Sequence, residues 1–256
     1  MRPADELRDT VDEYLGALSF TPDLGELAEA MRYPLEAGGK RIRPVLCLAV
    51  AEAAGGSVEE ALPAAAALEL VHTFSLVHDD LPALDDDDER RDRPSAHVAF
   101  GEGVALLAGD ALLAEALRLA LSYETNDVAR ELVDATLGMI GGQFRDITGD
   151  DSDLASVHRL KTGRLFLAGV RIGLDVAGAS EAERAPWLAF GDEVGLLFQV
   201  VDDLLDGDGY VERLGIEGAG RLANESAERA RAELDLVDAD TSVLRELVDV
   251  LAVRTG

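Results

Sequence analysis

Cysteine and lysine are nearly missing from this chain of 256 residues. It has one Cys, Cys47, and two Lys, Lys40 and Lys161, against 21 Arg. A single cysteine excludes an intramolecular disulfide framework, and no Cys/His spacing suits zinc. Aromatic residues make up only 5% and β-branched runs are scarce, with no convincing period-2 segment flanked by hairpin turns, so helix is favoured over sheet. No uncharged apolar run approaches the ~18 residues that cross a bilayer, which excludes stable membrane insertion. The first thirty residues lack the basic-then-apolar layout of a signal peptide, and a cytoplasmic protein is expected. Basic residues are outnumbered 23 to 51 by acidic ones, a formal net charge of -28. Such a charge argues against nucleic acid or an anionic membrane as the main partner.

What is present is Ala- and Leu-rich sequence with apolar stripes at helical spacing and short connections, and no shift of composition divides it. The expectation is an all-α, single-domain helix bundle over residues 1–256 around a central cavity. Ser57-Val58-Glu59-Glu60 reads as a capping box opening a helix that runs to about Asp80, with Pro63 able to kink its first turns. Ser180 and Glu183 open another that runs to about Asp206. Gly38-Gly39 ends the helix before Lys40, and 90–94 and 207–209 read as exposed loops. Gly138, Gly141, Gly142, Gly191 and Gly195 interrupt helical stretches, which fits close helix packing or room for a ligand.

Most of the acidic excess reads as solvated surface. Two clusters differ. The first, His78-Asp79-Asp80-Leu81-Pro82-Ala83-Leu84-Asp85, ends an apolar helix on which His72, Ser75 and Asp79 share one face. The second, Phe198-Gln199-Val200-Val201-Asp202-Asp203-Leu204-Leu205-Asp206, places Gln199, Asp202, Asp203 and Asp206 at i, i+3, i+4 and i+7. Carboxylates held together near apolar side chains raise each other's pKa unless cations neutralise them. Mg²⁺ takes oxygen ligands from one or two carboxylates plus substrate phosphates. Two Asp-rich faces opposed across a bundle would therefore clamp a diphosphate. Both lysines fall in basic patches, Lys40-Arg41-Ile42-Arg43 and His158-Arg159-Leu160-Lys161-Thr162, and with Arg90 and Arg91 they supply donors for phosphate oxygens.

Gly39-Lys40-Arg41-Ile42-Arg43-Pro44, Asp79 to Asp85 with Arg90-Arg91 after it, Gly141-Gly142-Gln143, Lys161-Thr162-Gly163 and Phe198 to Asp206 occur in the order found in the trans-isoprenyl diphosphate synthases, which the chain resembles over nearly its whole length. The resemblance implies the isoprenoid synthase fold and a Mg²⁺-dependent prenyl transferase, with three ions per site when substrate is bound, working as a homodimer. It implies Asp79, Asp85 and Asp202 as leading magnesium ligands supported by Asp80, Asp203 and Asp206. Lys40, Arg43, His72 and Arg91 would hold isopentenyl diphosphate, and Arg90, Lys161, Thr162 and Gln199 would face the allylic diphosphate. An aromatic Phe74 five residues before Asp79, next to the small Ser75, favours farnesyl over geranylgeranyl diphosphate as product.

One departure stands out. The family usually continues past the second cluster with roughly a score of residues bearing two lysines, whereas here Asp206-Gly207-Asp208-Gly209 runs directly into Tyr210. A terpene cyclase would not need a second diphosphate site such as Lys40, Arg43 and Arg91. A noncatalytic partner subunit would be expected to lose one Asp cluster, and an acidic Mg²⁺ or Ca²⁺ buffer has no EF-hand-like loop to recommend it.

Overall fold

The computed structural model describes residues 1–149 and 154–253. The expectation that the domain extends to Gly256 falls, for its last three residues, outside those described. In chain order the helices begin with α1 (Ala4–Ala17), α2 (Leu27–Glu36), α3 (Ile42–Ala53) and α4 (Val58–Asp79). A minimal hairpin, β1 (Glu89–Arg90) and β2 (Arg93–Pro94), precedes α5 (Ala96–Phe100), α6 (Glu102–Ala120) and α7 (Asp127–Ile147). The chain continues through α8 (Leu154–His158), a π-helical stretch Arg159–Gly163, α9 (Arg164–Val176), α10 (Arg184–Asp206), α11 (Tyr210–Leu234) and α12 (Ser242–Val253).

The all-α expectation is met, with α4 at the centre of the bundle. Its run Ala61, Ala64–Leu68, Leu70 and Val71 is fully buried, because small Ala side chains let α6, α3 and α9 approach from different sides. By length and composition α4 could cross a membrane, but most of it is buried inside the bundle. Ser57 caps α4 by accepting from the Glu60 N–H at 3.3 Å. Pro63 does not end the helix. Instead the Tyr123 hydroxyl inserts one turn in, donating to Glu60 O at 2.6 Å and accepting from the Ala64 N–H at 3.1 Å, so polar backbone groups next to the proline stay satisfied. Ser180 and Glu183 form the expected capping box, through a single 3₁₀ turn, Glu181–Glu183, that leads into α10.

The hairpin corrects the expectation of no paired strands and turns the expected loop over 90–94 into a strand pair, while Arg91, Asp92 and Pro94 are exposed as expected. Arg91 and Asp92 both adopt positive φ, 56° and 58°, which makes a tight two-residue turn with no glycine to announce it. The glycines divide as well. A Cβ on Gly142 would meet the Lys161 backbone nitrogen at 2.4 Å, and one on Gly195 would meet the Gly163 Cα at 3.1 Å, so both mark close packing around the π-helical stretch. Gly138 and Gly191 likewise abut Arg164 and Val170, whereas Gly141 faces open space.

Candidate active site

The C-terminal parts of α4 and α10 face each other across a cavity of about 520 Å³. Asp79 and Asp202 stand on its two sides. His72, Ser75, Lys161 and Thr162 line it with them, and Phe74, Met139 and Leu165 contribute apolar wall. The polar line read along α4 therefore does face a cavity. A second cavity of about 620 Å³ adjoins the first and shares Arg43, His72, Phe198 and Asp202 with it; Lys40, Arg90 and Arg91 line this one. The two basic segments thus open onto different parts of one continuous site.

Burial pushes Asp79 up to about 6; Lys161 opposes this, while the Asp85 and Asp80 carboxylates reinforce it. Asp85 is exposed, and a turn brings it back so that its N–H donates to the Asp79 carbonyl at 2.9 Å. Asp202 is also raised, by partial desolvation in the cavity and then by the Asp206 and Asp203 charges, with Arg43 and Lys40 lowering it. Arg43 packs over the Phe166 and Phe198 rings at 4.6 and 5.3 Å, and its burial pushes it down to about 10. His72 lies well below the usual range for histidine because it is buried and surrounded by Arg43, Arg91, Arg41 and Arg90. It is therefore neutral, and can donate a hydrogen bond to a phosphate oxygen without adding charge.

Each Asp-Asp pair divides in two. Asp80, expected to support metal binding, is buried and bound by Arg90, whose Nε lies 2.6 and 2.9 Å from the two carboxylate oxygens. Arg90 is correspondingly committed, and it lines the second cavity rather than the one with Lys161 and Thr162. Asp203 is also buried: it accepts from the Tyr210 N–H at 2.7 Å and from Gln199 Nε2 at 2.6 Å. Gln199, expected toward the allylic diphosphate, lies with His158 and Tyr210 in a separate cavity. The reason is geometric. At 3.6 residues per turn the four polar positions of α10 spread over about 100° of circumference, enough to send Asp202 and Asp206 one way and Gln199 and Asp203 the other.

Asp203 also explains the short connection after α10. Gly207 closes the helix at φ 80°, and its N–H bonds back to Asp203 O at 2.8 Å. Gly209, at φ 50°, sits so close to the Asp203 carboxylate that a Cβ would meet it at 2.3 Å. The junction is compact and needs both glycines.

Three residues carry roles that the sequence did not assign. Asp146 pairs with Lys161 at 2.5 Å and thereby orients the lysine at the cavity edge. Its position three residues beyond Gln143, one turn along α7, was the available signal. Gln143 itself lines the cavity, and neither its amide nitrogen nor its amide oxygen has a hydrogen-bond partner among the described residues. His78 stacks edge-on against Phe74, with centroids 5.6 Å apart, and occupies the space above Gly109.

The donor set suits a hard divalent cation: carboxylate oxygens from two facing helices, strained by mutual repulsion and partial burial. Among the described residues no three His, Cys, Asp or Glu side chains converge on one position.

Comparison with known proteins agrees with this architecture. The polyprenyl synthetase family pattern matches residues 25–219. A farnesyl diphosphate synthase of Bacillus subtilis is 35% identical, with 96% of this chain and 95% of that protein covered. That alignment spans 282 positions, more than this chain has residues, so the Bacillus protein contains segments with no counterpart here. A geranylgeranyl diphosphate synthase of Cyanophora paradoxa is 44% identical over 73% of this chain and 67% of its own length. Among solved structures, a geranyltransferase from Legionella pneumophila superposes with a TM-score of 0.89 at 30% identity, covering 98% of this chain and 96% of that one.

Proposed function

Since the chain belongs to the polyprenyl synthetase family, we propose that it is a short-chain prenyl transferase that condenses isopentenyl diphosphate with an allylic diphosphate, giving farnesyl diphosphate, in the cytoplasm. The observation that carries this reading is the pair of carboxylates, Asp79 and Asp202, facing each other across a cavity that is apolar below them and cationic beside them.

Asp79 and Asp202, with Asp85 and Asp206 beside them, would hold magnesium, three ions per site. Magnesium, when bound, supplies positive charge that stabilises a departing diphosphate. Lys161, steadied by Asp146, and Thr162 orient the allylic diphosphate at the mouth of the first cavity while its hydrocarbon tail lies along Phe74 and Leu165. Lys40, Arg43, Arg91 and neutral His72 hold the diphosphate of isopentenyl diphosphate in the second. This brings its double bond toward the allylic carbon as the carbon–oxygen bond breaks, and loss of a proton from the adduct completes the step. The chain's contribution is positioning and fixed charge, with no covalent protein intermediate.

Farnesyl is favoured over geranylgeranyl because Phe74, buried and braced by His78, stands on the cavity wall five residues before Asp79. Relatives of both product types exist, so the wall residue bears this part of the reading. A row of exposed apolar side chains on α6 and α7, including Leu106, Leu107, Leu137 and Phe144, supports a homodimer.

The test is product analysis of the purified chain with Mg²⁺, labelled isopentenyl diphosphate and an allylic primer, against a chelator control. Magnesium-dependent elongation ending at fifteen carbons is expected, and Phe74→Ala should lengthen the product to twenty. Absence of elongation with every primer would overturn the activity. An unchanged product from Phe74→Ala would overturn the wall assignment.

A further inference from the structure

Arg41 lies between Lys40 and Arg43 and, with Glu69, borders the same second cavity, yet it is only 3% exposed and its guanidinium is taken up by protein acceptors. Its Nη1 donates to Glu69 Oε1 of α4 at 2.6 Å, its Nε to Asp12 Oδ1 of α1 at 2.8 Å, and its Nη2 to the Leu35 carbonyl of α2 at 2.7 Å. One guanidinium thus ties the start of α3 to three other helices. Its backbone is left-handed, φ 48° and ψ 33°, a conformation that a side chain with a Cβ adopts only when surrounding contacts enforce it. The glycines before it are held too: Arg91 donates to the Gly38 carbonyl, and its guanidinium packs against Gly39.

We propose that Arg41, anchored by Glu69 and Asp12, is a positioning residue: it holds the strained turn that aims Lys40 and Arg43 at the diphosphate of the non-allylic substrate. This rests on the prenyl-transfer reading above. Glu69, itself buried, neutralises Arg41, so that this guanidinium serves as a brace rather than as a competing phosphate ligand. If the brace is lost, the turn relaxes out of the left-handed region and the two flanking cations separate, while Lys161, Thr162 and Asp79, on other helices, keep their places. The consequence is selective for one of two diphosphates.

Arg41→Lys keeps the charge, but a single ammonium cannot span three acceptors that match a planar fork. Steady-state kinetics should show the KM for isopentenyl diphosphate rising about 10-fold or more, the size expected for losing charged hydrogen bonds. The KM for the allylic diphosphate should stay within about two-fold, since no group that holds it touches Arg41. Asp12→Asn weakens only the partly exposed end of the brace, and should give a rise of about 2–4-fold with the same selectivity and an unshifted melting temperature. This variant decides the matter if Arg41→Lys fails to fold. Unchanged KM for isopentenyl diphosphate in both variants, or equal rises in both KM values, would overturn the positioning role alone. Failure of the wild-type chain to bind isopentenyl diphosphate in calorimetry would overturn the reading beneath it as well.

Discussion

The two aspartate clusters look alike in sequence and behave alike up to a point. In each Asp-Asp pair the first carboxylate faces the cavity and the second is buried as an anchor. The anchors differ. Asp80 is held by a full positive charge, Arg90, brought in by a hairpin from outside the helix. Asp203 is held by a backbone N–H and an amide, both neutral and both close in sequence. Adjacent residues on a helix point about 100° apart, so one carboxylate of a pair must look elsewhere. What receives it decides whether the pair stays doubly negative or is half neutralised. The first cluster is tethered by tertiary structure, the second by its own connection.

The sharpest way to test that division is to remove a cavity-facing member. Asp79→Asn and Asp202→Asn should each lower kcat by about 10²–10³ or more. Folding stability should be unchanged or slightly improved, because each removes a partly desolvated charge; kinetics paired with thermal melts reads both. Asp80→Ala should do the reverse and strand Arg90. Since Arg90 is a third exposed, the loss should fall below the about 3–5 kcal/mol of a fully buried broken pair, measurable by urea denaturation. Asp203→Ala, which removes a cap rather than a charge pair, should cost about 1–2 kcal/mol and loosen the α10–α11 junction.

The smallest effect concerns pH. Asp79 is raised in the folded chain to about 6, above an unfolded value near 4, so the native state binds more protons between those limits. Stability of the metal-free protein should therefore fall as pH rises from about 4 to 6, by about 1 kcal/mol after solvent screening, or 2–4 °C. Magnesium with inorganic diphosphate should abolish that slope, and Asp79→Asn should remove it without any ligand. A slope that persists in Asp79→Asn would assign it to another group.

Much of the fold was legible because helices announce themselves locally. The Ser57 and Ser180 caps, the Gly38-Gly39 stop and the apolar periodicity of α4 and α10 each depend on residues within a few positions. The same holds for the line His72, Ser75, Asp79, which spacing alone put on one face. Illegible were features made by distant contacts. Tyr123 reaches α4 from the end of α6 and satisfies the gap near Pro63. Arg91 and Asp92 form a tight turn without a glycine, with Arg90 held by Asp80 just before the turn and Arg91 held by the Gly38 carbonyl within it. The stripe on α10 was too coarse a description: spacing grouped Gln199 with Asp202, and the neighbours of Asp203 separated them.

By itself, then, the sequence determined that this is a helical, acidic protein with two carboxylate clusters, two lysines in basic segments, no Cys/His spacing suited to zinc and no second cysteine for an intramolecular disulfide, since each of these follows from residue type and short-range spacing. Only the tertiary structure decided which aspartate of each pair faces the cavity, that Lys161 leans on Asp146, and that Arg41 is taken up by Glu69, Asp12 and the Leu35 carbonyl. The direction of a side chain is settled by the partners that the folded chain brings to it, near or far in sequence, and residue type and spacing alone do not name them.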